Sequence, residues 1–109
     1  MSKAEYWQRG EALDYTNTTD AVIPANTIVK IGSRIGVTGT DIAPGEIGTI
    51  HVGGVWEIGK TGNAEIAMGQ TVYFDGTGIT DTAGDNTEAG YAAANAAAGD
   101  TVILVKLRG

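Results

Sequence analysis

A chain of 109 residues without cysteine is one small domain, closed to disulfide frameworks and to thiolate-bound metals. Its 13 acidic against 7 basic residues give a net charge of −6, a surface that repels phosphate backbones and anionic lipid and so argues against nucleic-acid and membrane partners. Its 17 glycines, about twice the usual ~7% share, suit short strands and tight turns better than a helical bundle.

In chain order, residues 1–12 read as an extended N-terminal arm and residues 13–109 as a single β domain. Tyr6, Trp7 and Arg9 stand in a polar, glycine-terminated stretch with too little apolar periodicity to specify a core element. Such arms order on contact with a partner. The same stretch is charged where a signal peptide needs an apolar run, and no segment approaches the ~18 apolar residues of a membrane span. Synthesis in a cytoplasm without export by that route is therefore expected, which makes the sequon Asn17-Thr18-Thr19 a chance match.

Strands are predicted near 12–17, 27–32 and 34–38, with Ile23–Asn26 as a turn carrying Pro24 at its second position. Pro44-Gly45 marks the centre of a type II turn ahead of a strand at 47–52. Gly53-Gly54, flanked by β-formers, reads as the two-residue loop of a hairpin joining that strand to 54–59. Asp75–Gly78 separates strands at 71–75 and 78–82, and Ala83–Asn86 and Ala97–Asp100 supply further turns. For 88–94 and the alanines of Ala92–Ala98 a strand followed by a turn competes with a short helix, since alanine is the best helix former but no large apolar residue anchors a face. Thr101–Leu107 is apolar on both alternating faces, the pattern of a central strand covered on both sides by core or by another subunit. About eight short strands in one domain predict an all-β fold: a small β-sandwich or barrel, jelly-roll-like, without a discernible internal repeat.

The stretch "GEIGTIHVGGVWEIGK", residues 45–60, gathers His51, Glu46, Glu57 and Lys60 and invites a catalytic reading. A histidine base needs an orienting carboxylate and a nucleophile within about 3 Å. A two-residue turn at Gly53-Gly54 puts His51 opposite Trp56 and sends Glu57 to the other face, and the only serines, Ser2 and Ser33, lie outside any nucleophile elbow. A cross-strand His51–Trp56 contact is the expected role. Asp75, Asp81, Asp85 and Glu88 lack the spacing of a calcium loop and suit turn chemistry. "GKTG" (59–62) lacks the upstream glycine and the following helix of a phosphate loop. No catalytic residue, metal site or cofactor is predicted.

In order and spacing, "LDYTN", "IGV", "DIAPGEIG", "GVWEIGK", "VYFD", "GDNT" and "AAGD" resemble the tailed-phage capsid cement (decoration) proteins, over roughly residues 9–107. The resemblance implies a non-enzymatic virion protein on the capsid exterior, a homo-oligomer (dimer or trimer) that stabilises contacts between major capsid protein subunits. Tyr6, Trp7, Arg9 and Trp56 are the expected capsid or subunit contacts. The rival readings are a carbohydrate- or receptor-binding β-sandwich, which this aromatic-poor chain serves badly, and a small hydrolase using His51 with scattered carboxylates.

Overall fold

The structure is a computed structural model that describes residue 4 and residues 11–107. The described residues form nine strands: β1 (Ala12–Thr16), β2 (Ile28–Ile31), β3 (Arg34–Thr38), β4 (Ile47–His51), β5 (Val55–Gly59), β6 (Thr71–Phe74), β7 (Ile79–Thr80), β8 (Thr87–Ala92) and β9 (Val102–Leu107). They build two antiparallel sheets, ordered β1-β4-β3-β2 and β5-β9-β8-β6-β7. The all-β sandwich of short strands is thus as the sequence predicts. Its connectivity is not that of a jelly roll, because each sheet is completed from consecutive strands before the next begins. No helix occurs among the described residues, and the alanine stretch resolves as strand then turn. β8 ends at Ala92, Ala96 bridges to Ile66, and Asp100 N–H closes on Ala97 O at 3.1 Å.

Two local expectations are corrected. Gly53-Gly54 is no hairpin loop but the crossing between sheets: β4 pairs with β1 and β3, whereas β5 pairs with β9. Pro24 occupies the first position of its turn, with Asn26 at φ 63° and the Thr27 hydroxyl donating to Pro24 O. On β9 the domain's own core covers the face of Ile103, Val105 and Leu107, while Val102 and Leu104 are exposed on the other face, where the sequence allows cover by another subunit.

The sheets are also repeats of one another. Ala12↔His51 through Thr16↔Ile47 in the first sheet is matched by Val55↔Lys106 through Gly59↔Val102 in the second. Hydrogen bonds outside the ladders recur in the same places. Asn17 N–H donates to Glu46 O as Lys60 N–H does to Thr101 O, and Val52 N–H to Glu11 O as Leu107 N–H does to Gly54 O. Ile23 and Ile42 exchange backbone bonds across the first half, as Ile66 and Ala96 do across the second. Asp41 Oδ1 accepts from Ala25 N–H, and Asn95 Oδ1 accepts from Met68 N–H, each at 2.8 Å. Even the left-handed residue of the first turn, Asn26, has its counterpart in Gly69 (φ 91°). Each sheet therefore holds the same four-stranded Greek key, to which the second adds the hairpin strand β7.

The larger core cluster lies under the second sheet, where Ile58, Val72, Ile103, Val105 and Leu107 meet Ile66 and Ile79. Ile35 and Val37 from β3, with Ile28 from β2, insert into it and join the two halves. A smaller cluster of Val29, Ile50 and Val52 occupies the opposite face of the first sheet.

The β6–β7 corner closes the second sheet toward β5. Lys60 bridges Ile79 in parallel, and Thr61 N–H donates to Ile79 O at 2.8 Å. A Cβ at Gly78 would lie 2.6 Å from Gly59 O, a backbone atom that cannot turn aside. Gly78→Ala is expected to cost about 1–3 kcal/mol in urea unfolding. Gly53→Ala, where an added Cβ meets nothing closer than 3.9 Å, should leave the midpoint nearly unchanged. In the same corner Asp75 accepts from Gly78 N–H and Thr77 N–H at 2.9 Å and from the Thr61 hydroxyl at 2.7 Å. These bonds, led by Gly78 N–H and then the Thr61 hydroxyl, hold its carboxyl below the ordinary value. The depressed value adds stability above the ordinary carboxylate range that is lost as pH falls through the folded-state value. Unfolding midpoints of Asp75→Asn and the parent should therefore differ at neutral pH and converge in acid.

Candidate functional site

The polar residues of 45–60 are dispersed by the fold. Glu46 closes the Pro44-Gly45 turn, its N–H on Ala43 O at 3.0 Å and its carboxylate on Ala43 N–H at 3.3 Å. Gly45 at φ 79° makes that turn type II, as its sequence predicts. Glu57 is exposed on the outer side of β5, opposite Leu104. Lys60 is buried, and its ammonium donates to Ala98 O at 3.3 Å.

His51 ends β4 and faces Trp56 across the crossing, ring centroids 5.5 Å apart and planes tilted by 36°. The contact expected from the sequence is present, but it spans two sheets rather than one ribbon. Gly39 leaves room for the imidazole: a Cβ there would fall 2.9 Å from His51 Nε2. Trp56 is half-buried against the larger cluster, and its indole N–H donates to Gly53 O at 2.8 Å. A shallow cavity of about 470 Å³ beside the pair is lined by Glu11, His51, Trp56 and Lys106, with Gly53 and Gly54 at its floor. Among the described residues it is lined by no hydroxyl nucleophile. Ser33 sits in the β2–β3 turn, four residues from Val37, the partner of His51, hence roughly 13 Å away along the strand.

A second cleft of about 440 Å³ runs between the halves, with Asn26, Ile28 and Val37 on one wall and Trp56, Glu57 and Ile58 on the other. Among the described residues no three metal-ligating side chains converge, and every buried side-chain nitrogen or oxygen has a hydrogen-bond partner. No helix of the described residues is long and apolar enough to cross a membrane. Tyr6, Trp7 and Arg9 lie outside the described residues.

Sequence reasoning missed Asn17, which with Thr38 is one of two wholly buried polar side chains among the described residues of the first half. Asn17 Nδ2 donates to Ala21 O and Ile42 O, both at 2.8 Å, while its Oδ1 accepts from Thr19 N–H at 2.9 Å and the Thr19 hydroxyl at 2.6 Å. The signal was present in the local Asn-x-Thr pattern, which builds an Asx turn as readily as a sequon. At the crossing, Trp56→Phe keeps the ring and deletes the bond to Gly53 O. A loss of about 0.5–1.5 kcal/mol in denaturant unfolding is expected.

The fold and its clefts therefore offer surfaces and a sheet junction rather than a set of converging reactive groups. No curated protein sequence and no solved structure matches the chain. A sequence profile of phage cement proteins matches residues 7–107. The chain belongs to the phage cement protein family, whose role is structural and whose place is the virion capsid.

Proposed function

We propose that this protein binds the outer surface of an assembled phage capsid as a homo-oligomer (dimer or trimer) and stabilises contacts between major capsid protein subunits. Membership of the cement family over residues 7–107 carries the reading. The site geometry supports it, because His51, Glu46, Glu57 and Lys60 each serve turns, packing or solvation in separate places. A net charge of −6 suits the exterior better than a surface lining packaged DNA.

The proposed mechanism is linkage. A ligand that binds only the assembled lattice stabilises it by about 2.7 kcal/mol per site at one hundred times its Kd. An oligomer reaching several capsid subunits gains further through effective concentration. Tyr6, Trp7 and Arg9 of the arm and the uncovered edge of Trp56 are the proposed contacts. The arm leads into β1, an edge strand of its sheet. Ladder alternation leaves the backbone groups of Ala12, Asp14 and Thr16 turned away from β4, open to strand addition.

Purified protein should co-sediment with heads of its phage, and heads lacking it should release DNA at lower temperature. His51→Ala should leave both properties intact. Absence of binding together with equal robustness of bare heads would overturn the proposal.

A further inference from the structure

We propose that copies of this chain associate head to tail: the outer face of the second sheet of one copy closes the open face of the first sheet of the next. This rests on the oligomeric reading above and adds to it which surfaces meet, and in what sense.

The reasoning starts from the internal repeat. Within one chain the two halves join because Val37, with Ile28 and Ile35, enters the cluster beneath the second sheet. There Val37 lies across one cleft from Trp56 and Ile58. The repeat equivalents of the receiving residues are Leu13 for Trp56, Tyr15 for Ile58 and Ile23 for Ile66, by the strand registers and the paired bridges. Those equivalents surround Val29, Ile50 and Val52 on the first sheet, in a cluster built from the first half alone. Ile58 and Ile66 are buried, whereas Tyr15 and Ile23 are half-buried and Leu13 is 38% exposed. Among the described residues, nothing is inserted into this receiving surface on the first sheet.

The central residue of the inserting surface also has an exposed counterpart. The equivalent of Val37 is Tyr91, since Val37 pairs with His51 as Tyr91 pairs with Lys106. Tyr91 is 37% exposed on the outside of the second sheet. On that same face stand Leu104 and Val102, 41% and 45% exposed, and Val55 at 56%. One chain therefore carries an open receiving face on one side of the sandwich and, on the other, an apolar outer face centred on Tyr91, the counterpart of Val37, with Thr71 and Glu88 at the register positions of Ile28 and Ile35. Sheet faces with this much apolar surface are covered by a partner when one of matching shape exists. A second copy supplies it. The contact is heterologous, joining different surfaces of identical chains, and closes into a ring when its rotation permits.

The cysteine-free chain makes the test direct. Single variants Leu13→Cys and Tyr91→Cys are prepared, mixed and treated with a short bismaleimide. The mixture should give a cross-linked dimer that neither variant gives alone, and the double variant should give covalent oligomers. Tyr91→Glu, a change at an exposed position, should convert the oligomer to monomer in light scattering with an unchanged melting temperature. Cross-linking of Tyr91→Cys with itself, or a parent chain that stays monomeric at all concentrations, would overturn head-to-tail assembly. Either result combined with intact binding to heads would leave the capsid role standing. Cross-linking as expected without binding to heads would instead overturn the capsid role alone.

Discussion

Each half of this protein depends on a clasp between its two long loops. In the first, Ile23 and Ile42 exchange backbone hydrogen bonds, Asp41 accepts from Ala25 N–H, and the buried Asn17 side chain donates to Ile42 O. The clasp carries Ile42 onto β4, where Gly48 is required: a Cβ there would collide with the Ile42 side chain at Cγ1. Without that seat, Ile42 could hold neither its backbone exchange with Ile23 nor the carbonyl that the Asn17 side chain ties. In the second half Ile66 and Ala96 repeat the exchange, Asn95 takes the place of Asp41, and the Lys60 ammonium reaches Ala98 O from the position equivalent to Asn17. An amide tie and an ammonium tie thus leave equivalent positions for neighbouring points of the corresponding loops, Ile42 O in one half and Ala98 O in the other.

The strands and most turns were legible because their signals are local. Alternation located β1 to β9 to within a few residues, and Pro44-Gly45 and Asp75–Gly78 turn where such residues must. The Gly53-Gly54 hairpin was not legible, because the choice of partner is non-local. Two glycines between β-formers serve a tight loop or a sheet crossing equally well. What decides is that His51 finds Ala12 and Val37 while Trp56 finds Val105. The repeat escaped notice for a related reason. It is kept in register and turn geometry, with Asp41 exchanged for Asn95, Asn26 for Gly69 and Glu46 for Asp100. These substitutions preserve a hydrogen-bond acceptor or a positive φ and little else.

For the site, the sequence correctly paired His51 with Trp56, because strand alternation on either side of Gly53-Gly54 leaves those two rings facing each other. It did not reveal that Trp56 serves the joint between halves, since that role needs Ile28 and Val37 brought across from another sheet. Family membership came from motif order, which no amount of site chemistry would have supplied. A cement protein acts through surface shape, and shape is distributed over residues that carry no individual signature.

The completion of each sheet from consecutive strands has a consequence for biosynthesis. Every strand of the first sheet has been translated once His51 is added, so its ladder can close while the second half is still on the ribosome. The second half then emerges beside a finished template of its own topology. In a crowded infected cell, two such nascent chains present each other with interchangeable halves, and strand exchange between them is the characteristic misassembly of duplicated folds. The chemical differences between the halves, an asparagine tie in one and a lysine tie with an added hairpin in the other, give each half a preference for its own strands.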